Sequence, residues 1–164
     1  MVECRTEWRD AITYCAAPLT VLPANRNAEI PPTFWVVDTY IAEHGIPETH
    51  VAVIRYRRSR PEGHLDLEVG WEVAADTRVD GPCSVGILAA GTYVVGRYEG
   101  PFLPLEDVAG EVIEWAKSRG LTIDSDQHDG GVRWACRYDL HVTHPEFGAT
   151  GPSGVVDVCF LLDD

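Results

Sequence analysis

Two stretches of this 164-residue chain present the same order of elements, and that order limits the fold more than any other feature. The first begins with the apolar run Leu19-Thr20-Val21-Leu22. Pro31 and Pro32 then lead into a helix capped by Thr33 and stopped by Gly45, with Phe34, Val37, Ile41 and His44 at helical spacing between. A strand over residues 51–56 follows, then the polar turn 58–63, then a strand over 65–73 that alternates as a half-buried strand does. The second stretch opens with a strand over 91–98 and turns at Glu99-Gly100-Pro101. It continues with a helix over 104–119, whose stripe is Leu105, Val108, Val112, Trp115 and Ala116. Glu106 and Asp107 in its first turn and Lys117 and Arg119 in its last suit the helix dipole, and Gly120 ends it. Strands over 132–142 and 155–162 close the chain.

Each stretch therefore reads strand-helix-strand-strand, repeat 1 over 19–75 and repeat 2 over 91–164, joined by the turn-rich segment 76–82. One unit has a small sheet and a single helix and cannot cover both sheet faces alone. Two units sharing a core can, which predicts one α+β domain over residues 1–164. Residues 1–18 form an N-terminal extension in which Trp8, Ile12 and Tyr14 fit an added edge strand or a helical turn.

Composition excludes several classes. A hydrophobic content of 45% excludes disorder over the whole chain. The net charge of −13 argues against direct binding of nucleic acid and against an anionic membrane surface. No apolar run is long enough to span a membrane, and the first residues lack the basic and apolar regions of a signal peptide. The five cysteines, Cys4, Cys15, Cys83, Cys136 and Cys159, are odd in number, widely spaced and without a CxxC. They read as reduced, mostly buried thiols in a cytoplasmic protein, with neither a disulfide nor a metal site. No P-loop or GxGxxG is present, so no cofactor is expected.

Four stretches carry a family resemblance. Residues 93–102, Tyr-Val-Val-Gly-Arg-Tyr-Glu-Gly-Pro-Phe, end a strand in a tyrosine followed by Gly-Pro and an aromatic. Residues 113–120 end a helix with Trp115 and then Gly120. Tyr138-Asp139-Leu140-His141 runs into His144-Pro145-Glu146, and residues 66–71 read Asp-Leu-Glu-Val-Gly-Trp. In this order they resemble the GyrI-like small-molecule-binding family, the effector-binding domain of multidrug-responsive regulators, over about residues 19–164. The resemblance implies duplicated units about a pseudo-twofold axis with a ligand groove between them. It also implies a stand-alone domain, because residues 1–18 are too few for a helix-turn-helix.

The family's groove carboxylate maps to Asp139, and His141 stands where the family usually has tyrosine. Aspartate is one methylene shorter than the family's glutamate, which sets the charge about 1.5 Å further back. Period-two alternation puts Arg137, Asp139 and His141 on one strand face and Trp134, Cys136, Tyr138 and Leu140 on the other. The competing reading is a solvated polar face with an Arg137–Asp139 pair. Candidate groove aromatics are Trp35, Tyr40, Tyr56, Trp71, Phe102 and Tyr138, some of which would serve only the core. Glu68 and Asp157, matched across the repeat, suit a structural role. His141 and His144 cannot chelate one ion from a continuous strand, since residues three apart point to opposite faces.

The function these features imply is binding of bulky hydrophobic, preferably cationic, small molecules, for sequestration or sensing. Aromatic walls attract delocalised cations and a groove carboxylate sets the charge preference. The alternative implied by the resemblance is hydrolysis of strained cyclopropane-containing natural products, with Asp139 as general base and His141 as its partner.

Overall fold

The computed structural model describes residues 2–47, 49–102, 104–144, 146–149 and 151–163. In chain order the elements are β1 (Val2–Arg9), β2 (Ile12–Val21), a 3-10 turn (Pro23–Asn25), α1 (Arg26–Glu43), β3 (Ala52–Ser59), β4 (Leu65–Glu72) and β5 (Ser84–Leu88). They continue with β6 (Gly91–Pro101), α2 (Leu105–Ser118), β7 (Ser125–His128), β8 (Gly131–His141), β9 (Glu146–Gly148) and β10 (Gly151–Leu161). The chain is α+β: one antiparallel sheet ordered β1-β6-β10-β8-β3-β4-β2-β5, with β7 beside β8, β9 beside β10, and two helices.

The order forces the sheet to curl. β1 and β2 are joined by two residues yet lie six strand positions apart, as do β5 and β6. Six spacings span roughly 29 Å in a flat sheet, whereas such a link reaches about 11 Å. The sheet ends must therefore approach each other. The inner face so formed is filled by Tyr14, Ala16, Val53, Leu88, Tyr93, Val95, Cys136, Tyr138 and Cys159. Arg55 is buried there too, donating to Tyr14 Oη and to the carbonyls of Ile87 and Ala135.

Both helices cover the outer face. α2 lays Leu105, Val108, Val112 and Ala116 on Val94, Val156, Val158 and Phe160. It sits close because Gly96 leaves room for Val112: a Cβ at that glycine would collide with the valine side chain. Gly120, at φ +70°, turns the chain out of α2. α1 lays Val37, Tyr40 and Ile41 against Cys15, Ala17, Ala52 and Trp71, and Ile30 against Ile54, Tyr56 and Val69.

Several expectations need correction. α1 starts at Arg26, not Thr33, and runs through Pro31 and Pro32. Those prolines remove two N–H donors, and the Thr33 hydroxyl donates instead to the Glu29 carbonyl at 3.0 Å, so it is not an N-cap. β2 starts at Ile12, which places much of the expected extension inside a strand paired on both sides, by β4 and β5, while β1 is an edge strand beside β6. β5, β7 and β9 are strands that the sequence pattern does not predict. The Val2–Arg9 edge carries an exposed Trp8, and the β5 edge an exposed Ile87.

Among the described residues no helix is long and apolar enough to cross a membrane. Of the five thiols, Cys15, Cys83, Cys136 and Cys159 are buried.

Candidate functional site

β3 and β8 lie side by side at the middle of the sheet, with Ile54 opposite Asp139, Arg55 opposite Tyr138 and Tyr56 opposite Arg137. The pairing slips between Tyr56 and Arg58, where three residues of β8, 134–136, oppose the single residue Arg57 of β3. That irregularity turns Trp134 onto the outer face, where its ring packs 4.5 Å from the Arg137 guanidinium. The strict alternation expected for β8 therefore fails at Trp134. It holds beyond the slip: Cys136 and Tyr138 point inward, while Arg137, Asp139 and His141 meet the helix side.

These three polar residues are not a solvated face. Arg137 is 3% exposed, Asp139 1% and His141 6%. Burial of that degree demands partners. Tyr56 Oη donates to Asp139 Oδ2 at 2.6 Å, and Arg26 donates to Tyr56 Oη at 2.8 Å. Arg26 Nη2 lies 3.6 Å from the same Asp139 oxygen. Arg137 stacks over the Tyr56 ring at 3.9 Å and donates to Glu106 Oε1 at 3.1 Å. Two cations and two carboxylates thus join the first turns of α1 and α2 to the sheet centre. Burial pushes the Asp139 carboxyl up, opposed by the Arg26 charge and the Tyr56 hydrogen bond. Burial raises the Tyr56 hydroxyl as well, so Tyr56 stays a proton donor.

Above this network lies a cavity of about 220 Å³. Its walls come from α1 (Arg26, Ile30, Phe34, Trp35, Asp38), from the sheet (Ala52, Ile54, Trp71), and from Phe102, His141 and His144. Trp35 is 64% exposed, so the cavity opens to solvent beside it. Phe34 packs at 5.3 Å on Trp71, and Phe102 meets the His141 ring edge-on at 5.0 Å. Burial, with the charge of Arg26 adding to it, pulls His141 down to about 4. Its imidazole is therefore neutral at physiological pH.

The structure brings together most of the expected site. Trp35, Trp71, Phe102 and His141 line the cavity, and Tyr56 and Asp139 lie in the polar network joined to it by Arg26. Tyr40 does not line it: its hydroxyl bonds to Asp80 and its ring stacks on His44 at 3.9 Å. Tyr138 packs on the inner face with Tyr93, on the other side of the sheet. β8 ends at His141, and so both His141 and His144 border the cavity. Among the described residues no group of three His, Cys, Asp or Glu side chains is placed to hold a metal ion. Glu68 accepts from Tyr14 and Arg57, and Asp157 from Arg9 and Arg97, both outside the cavity lining.

Arg26, Ile30, Phe34, Asp38, Ala52 and Ile54 line the site although sequence reasoning did not place them there. The spacing Arg26, Ile30, Phe34, Val37, Ile41 places Arg26 on the buried stripe of α1. The signal was present, but it is visible only if the helix is allowed to begin before the two prolines.

Comparison with known proteins agrees with this architecture. The C-terminal domain of EcmrR superposes with a TM-score of 0.72 at 12% identity, covering 100% of this chain and 99% of that one. In the EcmrR–DNA complex, where the TM-score is 0.74 at 12% identity, this chain is 99% covered but spans only 58% of the EcmrR chain. SAV2435 bound to tetraphenylphosphonium matches with a TM-score of 0.57 at 11% identity over 98% of this chain and 94% of its own. A protein from Listeria innocua described as a hydrolase matches with a TM-score of 0.59 at 8% identity over 98% and 92%. At such identities the likeness is one of fold. No curated protein matches the sequence. The family model of the GyrI-like small molecule binding domain matches residues 32–129, more than half of the chain, and this protein belongs to that family.

Proposed function

We propose that the cavity between α1 and the β3–β8 centre binds bulky, largely aromatic small molecules, with lipophilic cations preferred, for sequestration or sensing. The observation that carries this reading is the cavity itself: Phe34, Trp35, Trp71 and Phe102 wall a space that opens to solvent. Apolar walls supply affinity, and each aromatic face in contact adds about 0.5–2 kcal/mol for a cation. Asp38 contributes a carboxylate to the lining, and the net charge of −13 draws cations over long range. Asp139 contributes less directly than the sequence suggests, because Arg26 is paired to it. The structural neighbour SAV2435, bound to tetraphenylphosphonium, supports the same ligand class.

We read the fold as a duplication about a pseudo-twofold axis between β3 and β8. On that reading Glu68 matches Asp157, Ile54 matches Asp139, and Tyr56 matches His141. Strand pairing supports it: Arg55 and Pro18 flank Glu68, as Leu140 and Arg97 flank Asp157. The ligand partners are small molecules; a protein of this charge is a poor match for nucleic acid or an anionic membrane, and free thiols suit the cytoplasm.

Hydrolysis of a strained-ring compound is the second reading, favoured by the structural neighbour described as a hydrolase. Binding is preferred because the expected base, Asp139, is committed to Tyr56 and Arg26. The test is a titration of tryptophan fluorescence with tetraphenylphosphonium and with tetraphenylborate, which match in shape and differ in charge sign. Tighter binding of the cation supports the proposal. No saturable binding of either ion overturns it, and equal affinities overturn the charge preference.

A further inference from the structure

A strand at the edge of a sheet leaves backbone N–H and C=O groups open to pairing with another chain. β1 (Val2–Arg9) is such an edge: among the described residues it pairs with β6 alone. Glu3, Thr6 and Trp8 are exposed along it, Trp8 at 66%. Val2 and Cys4 pack on the cluster under α2, which puts the even-numbered side chains on the outer face. Arg5 and Arg9 both reach Asp157 and Glu7, so the odd-numbered charges share the inner face.

The charges of β1 alternate in sign, Glu3, Arg5, Glu7, Arg9, and Thr6 is their midpoint. Suppose the strand pairs antiparallel with a second copy of itself about a twofold axis at Thr6. Glu3 then faces Arg9 of the second copy, Arg5 faces Glu7, Cys4 faces Trp8, and Thr6 faces itself. Every charge meets its opposite across the seam, which stabilises the pair. Neighbouring registers do worse. An axis at Arg5 sets Glu3 against Glu7, and an axis at Glu7 sets Arg5 against Arg9. An axis between two residues would oppose inner side chains to outer ones, which a continuous sheet does not allow. An axis at Cys4 pairs only residues 2–6 of the strand and leaves Arg9 outside the seam. Charges on an edge ordinarily keep other strands away; here one register turns all of them attractive. The opposite edge, β5 (Ser84–Leu88), is shorter and has no charge to select a register.

We propose that two copies of this chain associate through β1, antiparallel about Thr6, so that their sheets run on as one and the exposed Trp8 of each copy lies beside Cys4 and Thr6 of the other. The net charge of −13 on each copy opposes their approach. At physiological ionic strength the Debye length is about 8 Å, which screens that repulsion while the paired charges at the seam stay close. One strand edge and a tryptophan make a small interface, so the dimer is reversible. No residue of β1 lines the cavity under α1, and the inference stands apart from the proposed function.

The test is sedimentation velocity at physiological ionic strength, over roughly 1–300 µM protein. The wild-type sedimentation coefficient should rise with concentration from monomer toward dimer. Residue 6 meets itself across the axis, so substitutions there read the register directly. Thr6→Lys and Thr6→Glu, at an exposed position, should each weaken self-association at least about tenfold, because two like charges then face each other. Mixed in equal amounts, the two variants should associate at least as tightly as wild type, lysine facing glutamate. A wild-type protein that stays monomeric over the whole range overturns the proposal and requires no variant to fold. A dimer that both Thr6 variants retain also overturns it; if Ile87→Lys then abolishes that dimer, the seam is β5 instead. Two folded variants that stay monomeric when mixed overturn the Thr6 register.

Discussion

Replacing His141 by phenylalanine should flatten the acid side of the stability profile. The imidazole is buried, has no protein hydrogen bond to lose, and stays neutral in the fold down to about pH 4. In the unfolded chain it protonates near pH 6.5. Across that window the unfolded state binds a proton that the folded state refuses, so wild-type stability must fall as pH falls. At ~1.36 kcal/mol per pH unit the loss is about 3 kcal/mol by pH 4, and about 2.5 kcal/mol of it is reached by pH 4.5. Asp139 acts in the opposite sense: its raised carboxyl takes a proton in the fold first, which favours the fold as pH falls toward 4. Asp157 and Asp66, held low by arginines, lose their contribution only at still lower pH. These carboxylates are common to both proteins and cancel in the difference. The assay is urea unfolding of wild type and His141→Phe at pH 7 and pH 4.5. The variant should lose about 2.5 kcal/mol less than wild type between the two. Parallel losses would refute the claim that His141 is buried and neutral.

Three further outcomes follow from the same geometry. Arg26→Met should cost about 3–5 kcal/mol in urea unfolding at pH 7, because it strands Asp139 in a buried site, and adding Asp139→Asn should recover part of that loss. Asp139→Asn alone should weaken tetraphenylphosphonium roughly tenfold relative to tetraphenylborate, since it leaves the Arg26 charge beside the ligand facing only the more distant Glu106, at 3.8 Å. Trp35→Ala should change stability by less than about 0.5 kcal/mol, the residue being 64% exposed, while weakening tetraphenylphosphonium several-fold in the same titration.

Much of this fold is legible in periodicity. α2 runs from Leu105 to Ser118, within one residue at each end of the range 104–119 read from its stripe and glycine stop, because every local signal there agrees. α1 was legible only in part. Pro31-Pro32 reads as a boundary, yet burial of Arg26 and Ile30 on the sheet outweighs two missing backbone donors. β5 carries too few residues to show a pattern, and its place beside β2 follows from sheet curling, a tertiary effect. At the site, residue types were readable and their roles less so. Trp71, Phe102 and His141 do line the cavity, but strand alternation cannot show that Arg26 would reach across from a helix to Asp139. Tyr138 shows the limit of choosing by type: its strand parity already placed it away from Asp139. Trp134 shows the limit of parity, since the slip between β3 and β8 reverses its face.

On the proposed function, ligands occupy the space under α1 between Trp35, Trp71, Phe102 and His141. A crystal structure with tetraphenylphosphonium tests it most directly. Density for the ion should fill that space, with phenyl groups against Trp35, Trp71 and Phe102 and the Arg26–Asp139 pair intact beside it. Density on the outer side of α1 by Tyr40 and Asp80, or on the inner face by Tyr138, would contradict it.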